Sequence, residues 1–189
     1  MRNKSFILLI ILSFIVLTSN AQEIFKSEKY GFSILEPDGW QKKLNREQYF
    51  NLDKNNGKNL VTYTKYKRGE NKEINPTINI SVENRGTKPE NFVNKMLKPS
   101  SWNETYYLEH SFAKNPEIIN INGKNVVYGI VNFKYNSHGT PKTTFRKRIY
   151  YILESRKLYK IVFIDDQTTE ADTKLFDEMV NSIKINHSK

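Results

Sequence analysis

Histidine moves protons most readily near neutral pH, and this chain has three: His110, His138 and His187. No two of them fall at a helical or strand spacing that suits a shared metal, so a His-based zinc site is not expected. His138 sits in "NSHGTP", a loop pattern in which it could act as a general base. No oxyanion-hole motif or GxSxG elbow accompanies it. His110 is flanked by Glu109 and Ser111, but a triad requires neighbours in space, which adjacency in sequence does not supply. Cysteine is absent, which removes disulfides, thiol catalysis, Cys-ligated zinc, iron–sulfur clusters and a lipid-bearing cysteine. No catalytic, metal-ligating or cofactor-binding residue is therefore assigned.

Other residue types suit binding. Asp165-Asp166 pairs two carboxylates that could hold a hard cation, but without EF-hand spacing the reading taken is ordinary strand-end chemistry. "FRKRIYY" places Arg146 and Arg148 on one strand face and Lys147 on the other. Lys65 and Lys67 alternate in the same way on an earlier strand, and Tyr63, Tyr66 and Tyr150 are interleaved. Cations among aromatics suit a polyanion, and edge lysines and arginines also deter sheet-to-sheet aggregation. Trp40 follows a turn and is read as a core plug. Trp102, with Tyr106 and Tyr107, lies in a less regular segment and is the candidate binding aromatic.

These residues need strands to carry them. "GFSILEP", "NLVTYTKY" and "TINISVEN" alternate with period two. Pro37-Asp38-Gly39 ends the first with turn chemistry. "TKPENFVNKMLK" offers a capping pair, Thr87 and Glu90, and an apolar stripe of Phe92, Val93, Met96 and Leu97 at helical spacing. "SWNETYYLEHSFAKNP" is ambiguous between loop and edge strand. "EIININGKNVVYGIVNFKY" reads as a hairpin turning at Asn122-Gly123, and "TTFRKRIYYILES" and "LYKIVFID" as a second pair turning around Arg156-Lys157. Thr168 to Lys184 closes the chain as an amphipathic helix. The order β-β-β-α-β-β-β-β-α implies an α+β fold: a central antiparallel sheet with helices packed on its two faces.

The N-terminus has a different character. Arg2 and Lys4 precede a twelve-residue apolar run, Phe6 to Leu17, followed by small and polar residues through Gln22. This is the layout of a secretory signal peptide, and the run is short of the ~20 residues that span a bilayer. The expectation is a leader over residues 1–21, cleaved after Ala21, and one domain over 22–189; an uncleaved anchor is the rival. Losing Arg2 and Lys4 lowers the formal charge from +10 to +8. At 38% hydrophobic and 26% charged the chain reads as globular. The extracytoplasmic setting implied by a leader argues against nucleic acid as the partner, and no GxGxxG or P-loop pattern is present.

"YGFSILEPDGW" resembles the start of PsbP and DcrB-like domains, through Gly31, Phe32, Ile34, Pro37 and Trp40. "LFDEMVNSIKI" is similar to their final helix, and the closing strands "RIYYILES" and "LYKIVFID" fit as well. The resemblance covers about Glu23 to Asn186. It implies a PsbP-like α/β/α sandwich whose members include extrinsic photosystem subunits, envelope lipoproteins, effector chaperones and a nuclear regulator of a small GTPase. What these share is binding other proteins rather than a reaction. The lack of a cysteine after the leader departs from the lipoprotein members. The function expected is a secreted or periplasmic non-catalytic binding or accessory protein whose partner is another envelope or secreted protein. The alternative is a module for a small ligand, anionic polymer or lipid, using Trp102, Tyr106, Tyr107 and the basic residues Arg146, Arg148, Lys65 and Lys67. An extracytoplasmic hydrolase is the third reading.

Overall fold

A computed structural model describes residues 23–44, 57–66, 75–85, 89–98, 109–135, 143–166 and 171–186. In these segments the chain runs β1 (Ile24–Ser27), a 3-10 turn (Glu28–Tyr30), β2 (Phe32–Leu35), β3 (Gln41–Leu44), β4 (Lys58–Thr64) and β5 (Thr77–Asn84). Helix α1 (Pro89–Met96) follows, then β6 (Glu109–Ile121), β7 (Lys124–Tyr135), β8 (Thr143–Glu154), β9 (Lys157–Asp166), helix α2 (Ala171–Asn181) and β10 (Lys184–Ile185).

Two sheets result: a small one in the order β1-β2-β10, and a seven-stranded one in the order β3-β4-β5-β9-β8-β7-β6. All their pairings are antiparallel. The β-branched and aromatic content of β4, β5, β8 and β9 explains their place in the middle, where both faces need cover. Ile78, Ile80 and Val82 point to one face of β5 and are buried there. On that face they meet Phe32 and Ile34 of the small sheet, Tyr159, Ile161 and Phe163 of β9, and Phe176 and Met179 of α2 in one apolar cluster. The opposite face holds Val127, Val131, Phe133, Ile149 and Val162, with Phe92 and Met96 of α1 packed on them.

The expected α+β architecture, a central sheet with helices on its two faces, is corrected by this arrangement. The protein is β-rich: most described residues lie in ten strands, and the helices are short. Much of the cover over one face is a second sheet, with α2 lodged beside it, and α1 is only eight residues long. Periodicity missed three strands. β1 and β3 have four residues each and β10 has two, too few for alternation to register, and "QKKL" of β3 is mostly polar. They are strands because partners supply the hydrogen bonds, as in Gln41↔Thr64 through Leu44↔Val61.

The turns follow the local chemistry. Asn122 and Gly123 have φ of 51° and 78°, the two positive values of a type I′ hairpin turn. The β8–β9 turn is Ser155-Arg156, φ 48° and 63°, one residue earlier than the sequence suggests; Lys157 is already paired with Glu154. Gly39 has φ 73°, and the Trp40 amide donates to the Pro37 carbonyl at 3.3 Å, closing the expected turn. At Gly31, φ is 64° and the Asn186 amide donates to its carbonyl at 2.7 Å. A Cβ at Gly31 would lie 2.0 Å from the Asn186 carbonyl oxygen, so only glycine lets the chain ends meet there.

Candidate functional site

The basic residues of β8 fall as strand geometry dictates, Arg146 and Arg148 toward one face and Lys147 toward the other. Arg146 reaches the adjacent strand, where Nε and Nη2 donate to the two carboxylate oxygens of Asp165 at 3.1 and 2.7 Å. Arg148 lies 3.8 Å from the same carboxylate and donates to Thr173 Oγ1 of α2 at 2.6 Å. Its guanidinium also stands 5.7 Å from the Phe176 ring centre. Asp165 is 0% exposed and Arg148 5%. Lys65 donates to both oxygens of Asp172, in the first turn of α2, at 2.7 and 3.0 Å. Lys147, facing the other way, is buried over the Phe133 ring at 4.6 Å.

Two carboxylates thus gather three of the cations that the sequence offers for a polyanion, and the cluster ties the start of α2 to β8, β9 and the end of β4. A buried, hydrogen-bonded charge pair holds elements in register and is poorly placed to meet a large anion. Of the interleaved aromatics, Tyr63 and Tyr150 are buried in the core, and Tyr66 is half-buried with Lys65 5.9 Å from its ring. Trp40 is half-buried and meets Phe176 edge-on at 6.2 Å, the core role expected of it. Lys67, Trp102, Tyr106, Tyr107, His138 and His187 lie outside the described residues. His110 is in β6, opposite Phe133 in the ladder. Among the described residues no three His, Cys, Asp or Glu side chains come together as a metal site would need.

The surface with the most to offer a partner is an edge. The seven-stranded sheet ends on one side at β3, four residues carrying Lys42 and Lys43, and on the other at β6, thirteen residues long. Short, charged edges resist further pairing, and long ones invite it. The ladder of β6 shifts register at Phe112/Lys114 and Lys114/Glu117, around Pro116, and then runs regularly from Glu117↔Tyr128 to Ile121↔Lys124. In that regular stretch Ile118 is 49% exposed. The Asn122 side chain holds the tip of the hairpin by donating to the carbonyls of Asn181 and Ile183 at 2.9 and 3.0 Å. The sequence identifies this strand from Glu117 onward and leaves the residues before it open between a loop and an edge strand. Pro116 was the available signal, since a proline inside a strand run belongs at a sheet edge.

Comparison of the sequence with protein families finds no match, and comparison with curated proteins finds none either. Solved structures share the fold. The chain is similar to PsbP (CyanoP) from Synechocystis sp. PCC 6803, with TM-score 0.57 and 11% identity over 90% of this chain and 95% of that one. It is similar to the Saccharomyces cerevisiae Ran-binding protein Mog1p, with TM-score 0.53 and 12% identity over 87% and 95%. A protein from Bacteroides thetaiotaomicron gives TM-score 0.56 and 12% identity over 88% of this chain; the match spans 49% of that protein, about half its length. The resemblance carried by "YGFSILEPDGW" therefore holds: this chain has the PsbP/Mog1-like fold, in a β-rich form rather than with helices on both faces of a sheet.

Proposed function

We propose that this protein is a non-catalytic binding domain that works outside the cytoplasm and recognises another protein through the free edge of β6. The observation that carries the reading is the regular stretch Glu117–Ile121. It ends a seven-stranded sheet with unpaired backbone groups on its outer side among the described residues, and Ile118 is half exposed within it. An extended segment of a partner would add there as a further strand. Backbone hydrogen bonds would supply affinity, and an apolar side chain resting on Ile118 would supply selectivity. The upstream register shifts and Pro116 limit the docked segment to a few residues, which suits reversible recognition. The leader-like N-terminus supports the location. The presence of a Ran-binding protein among the structural neighbours supports a protein-binding role.

The test is affinity capture from the cell envelope with the wild-type chain and Ile118→Asp as baits. The wild-type chain is expected to enrich a specific protein, and the variant to lose at least about tenfold of it while remaining folded, at a stability cost of about 1–2 kcal/mol for a polar residue at a half-exposed strand position. Equal recovery by the two baits would remove β6 from the account.

A further inference from the structure

The small sheet has an outer face as well as a core face. Phe25, Ile34 and Ile185 turn inward and are buried. In the alternate positions, Lys26 of β1 and Lys184 of β10 flank Ser33 of β2 in one cross-strand row, because both pair with Ser33 in the ladder. Both lysines are exposed, and neither has a carboxylate partner among the described residues. This distinguishes them from Lys42, Lys65 and Lys124, which are each bound to an acidic side chain. Ile24, two positions before Lys26 on the same face, is 52% exposed. Lys29, exposed in the following 3-10 turn, has its ammonium 5.6 Å from the Tyr30 ring centre. Acidic neighbours are present at both ends, Glu23 before the strand and Glu28 in the turn.

An apolar side chain beside unpaired lysines has the chemistry of a surface that rests on lipid headgroups. The ammonium groups meet phosphates, and the aliphatic side chain enters the boundary with the acyl region. The chain itself indicates which lipid surface is at hand. Its apolar run ends at Leu17, and Ile24 lies seven residue positions further on. Seven residues reach at most roughly 25 Å when fully extended. While that run lies in a bilayer, the start of β1 stays within this reach of it, so the small sheet is the first described part of the domain to meet the lipid surface.

We infer that the outer face of the β1-β2-β10 sheet, through Ile24, Lys26 and Lys184, docks on the anionic lipid surface of the membrane across which the chain is exported. The contact is peripheral and screened by salt, since exposed charges separated by more than a Debye length cease to attract. It rests on residues other than those of the β6 edge.

The test uses the domain from Gln22 onward, which holds every described element, and co-sedimentation with vesicles. One set contains phosphatidylglycerol mixed into phosphatidylcholine, and the other phosphatidylcholine alone. The expected result is binding to the anionic vesicles only. Lys26→Glu/Lys184→Glu should weaken that binding by about twenty-five-fold or more, from roughly fivefold per lysine at an anionic surface. Ile24→Ser should weaken it with the charge unchanged. The charge-matched control Lys58→Glu/Lys98→Glu, on exposed lysines outside the small sheet, should weaken it by only about twofold to threefold. Circular dichroism establishes that each variant is folded. Equal loss in the two charge-reversed variants, or binding to soluble heparin without binding to vesicles, would overturn the inference.

Discussion

Asp165 is fully buried and serves as counter-ion to two arginines, so removing its charge leaves Arg148 buried opposite Thr173 and a ring. Breaking such a pair from one side is far more damaging than losing an exposed one. Asp165→Asn is expected to cost about 3–5 kcal/mol in urea unfolding. Lys114→Ala breaks the exposed pair with Glu117 and should cost at most about 1 kcal/mol. Comparable small losses would show that the buried cluster does not hold α2. Alanine would be strained by positive φ at both Gly31 and Gly39, but at Gly31 its Cβ also runs into the Asn186 carbonyl, whereas at Gly39 it meets open space. Gly31→Ala should therefore lower the melting temperature more than Gly39→Ala does. Burial also holds the Tyr159 hydroxyl up at about 12 and raises Tyr63 and Tyr150. A raised pKa means that the fold favours the neutral phenol. The stabilising contribution is intact below the ordinary value of about 10 and is lost as pH climbs through 12. Tyrosinate absorbance should show these groups ionising together with alkaline unfolding; early, independent ionisation would contradict their burial.

The long elements were legible because their side chains record which face is wet. Ile78, Ile80 and Val82 alternate against polar neighbours, and the same alternation sets β5 between β4 and β9. The hairpin at Asn122-Gly123 was legible because positive φ at two successive positions favours that dipeptide. The small sheet was not, because Ile24–Ser27 and Lys184–Ile185 become strands only when β2 lies between them. The helical layers were overestimated for a related reason. An amphipathic pattern shows that a helix has an apolar face, without showing how much of a sheet that helix covers. Arg146 and Arg148 were placed correctly on one face, but their partner Asp165 stood unrecognised in the next strand, since cross-strand pairing is invisible until register is known. The edge character of β6 was half visible, in Pro116 and in the ambiguity of the residues before it.

For the molecule as a whole, the two sheets share one apolar cluster, and the N-terminal and C-terminal strands both pair with β2. The small sheet is therefore a closure as well as a surface, and among the described residues the seven-stranded sheet ends in one long edge with no further strand beside it. The PsbP/Mog1-like fold is shared with proteins at 11% and 12% identity, so surface residues, more than the scaffold, must determine what this chain does. The central claim is that a partner adds to that edge. Placing a photo-activated crosslinking residue at position 118 in cells, with position 58 as control, tests it most directly. The account predicts a discrete crosslinked species from position 118 that is absent from position 58 and competed by a peptide of the partner's strand. The same species from both positions, or none from position 118 in a folded protein, would contradict it.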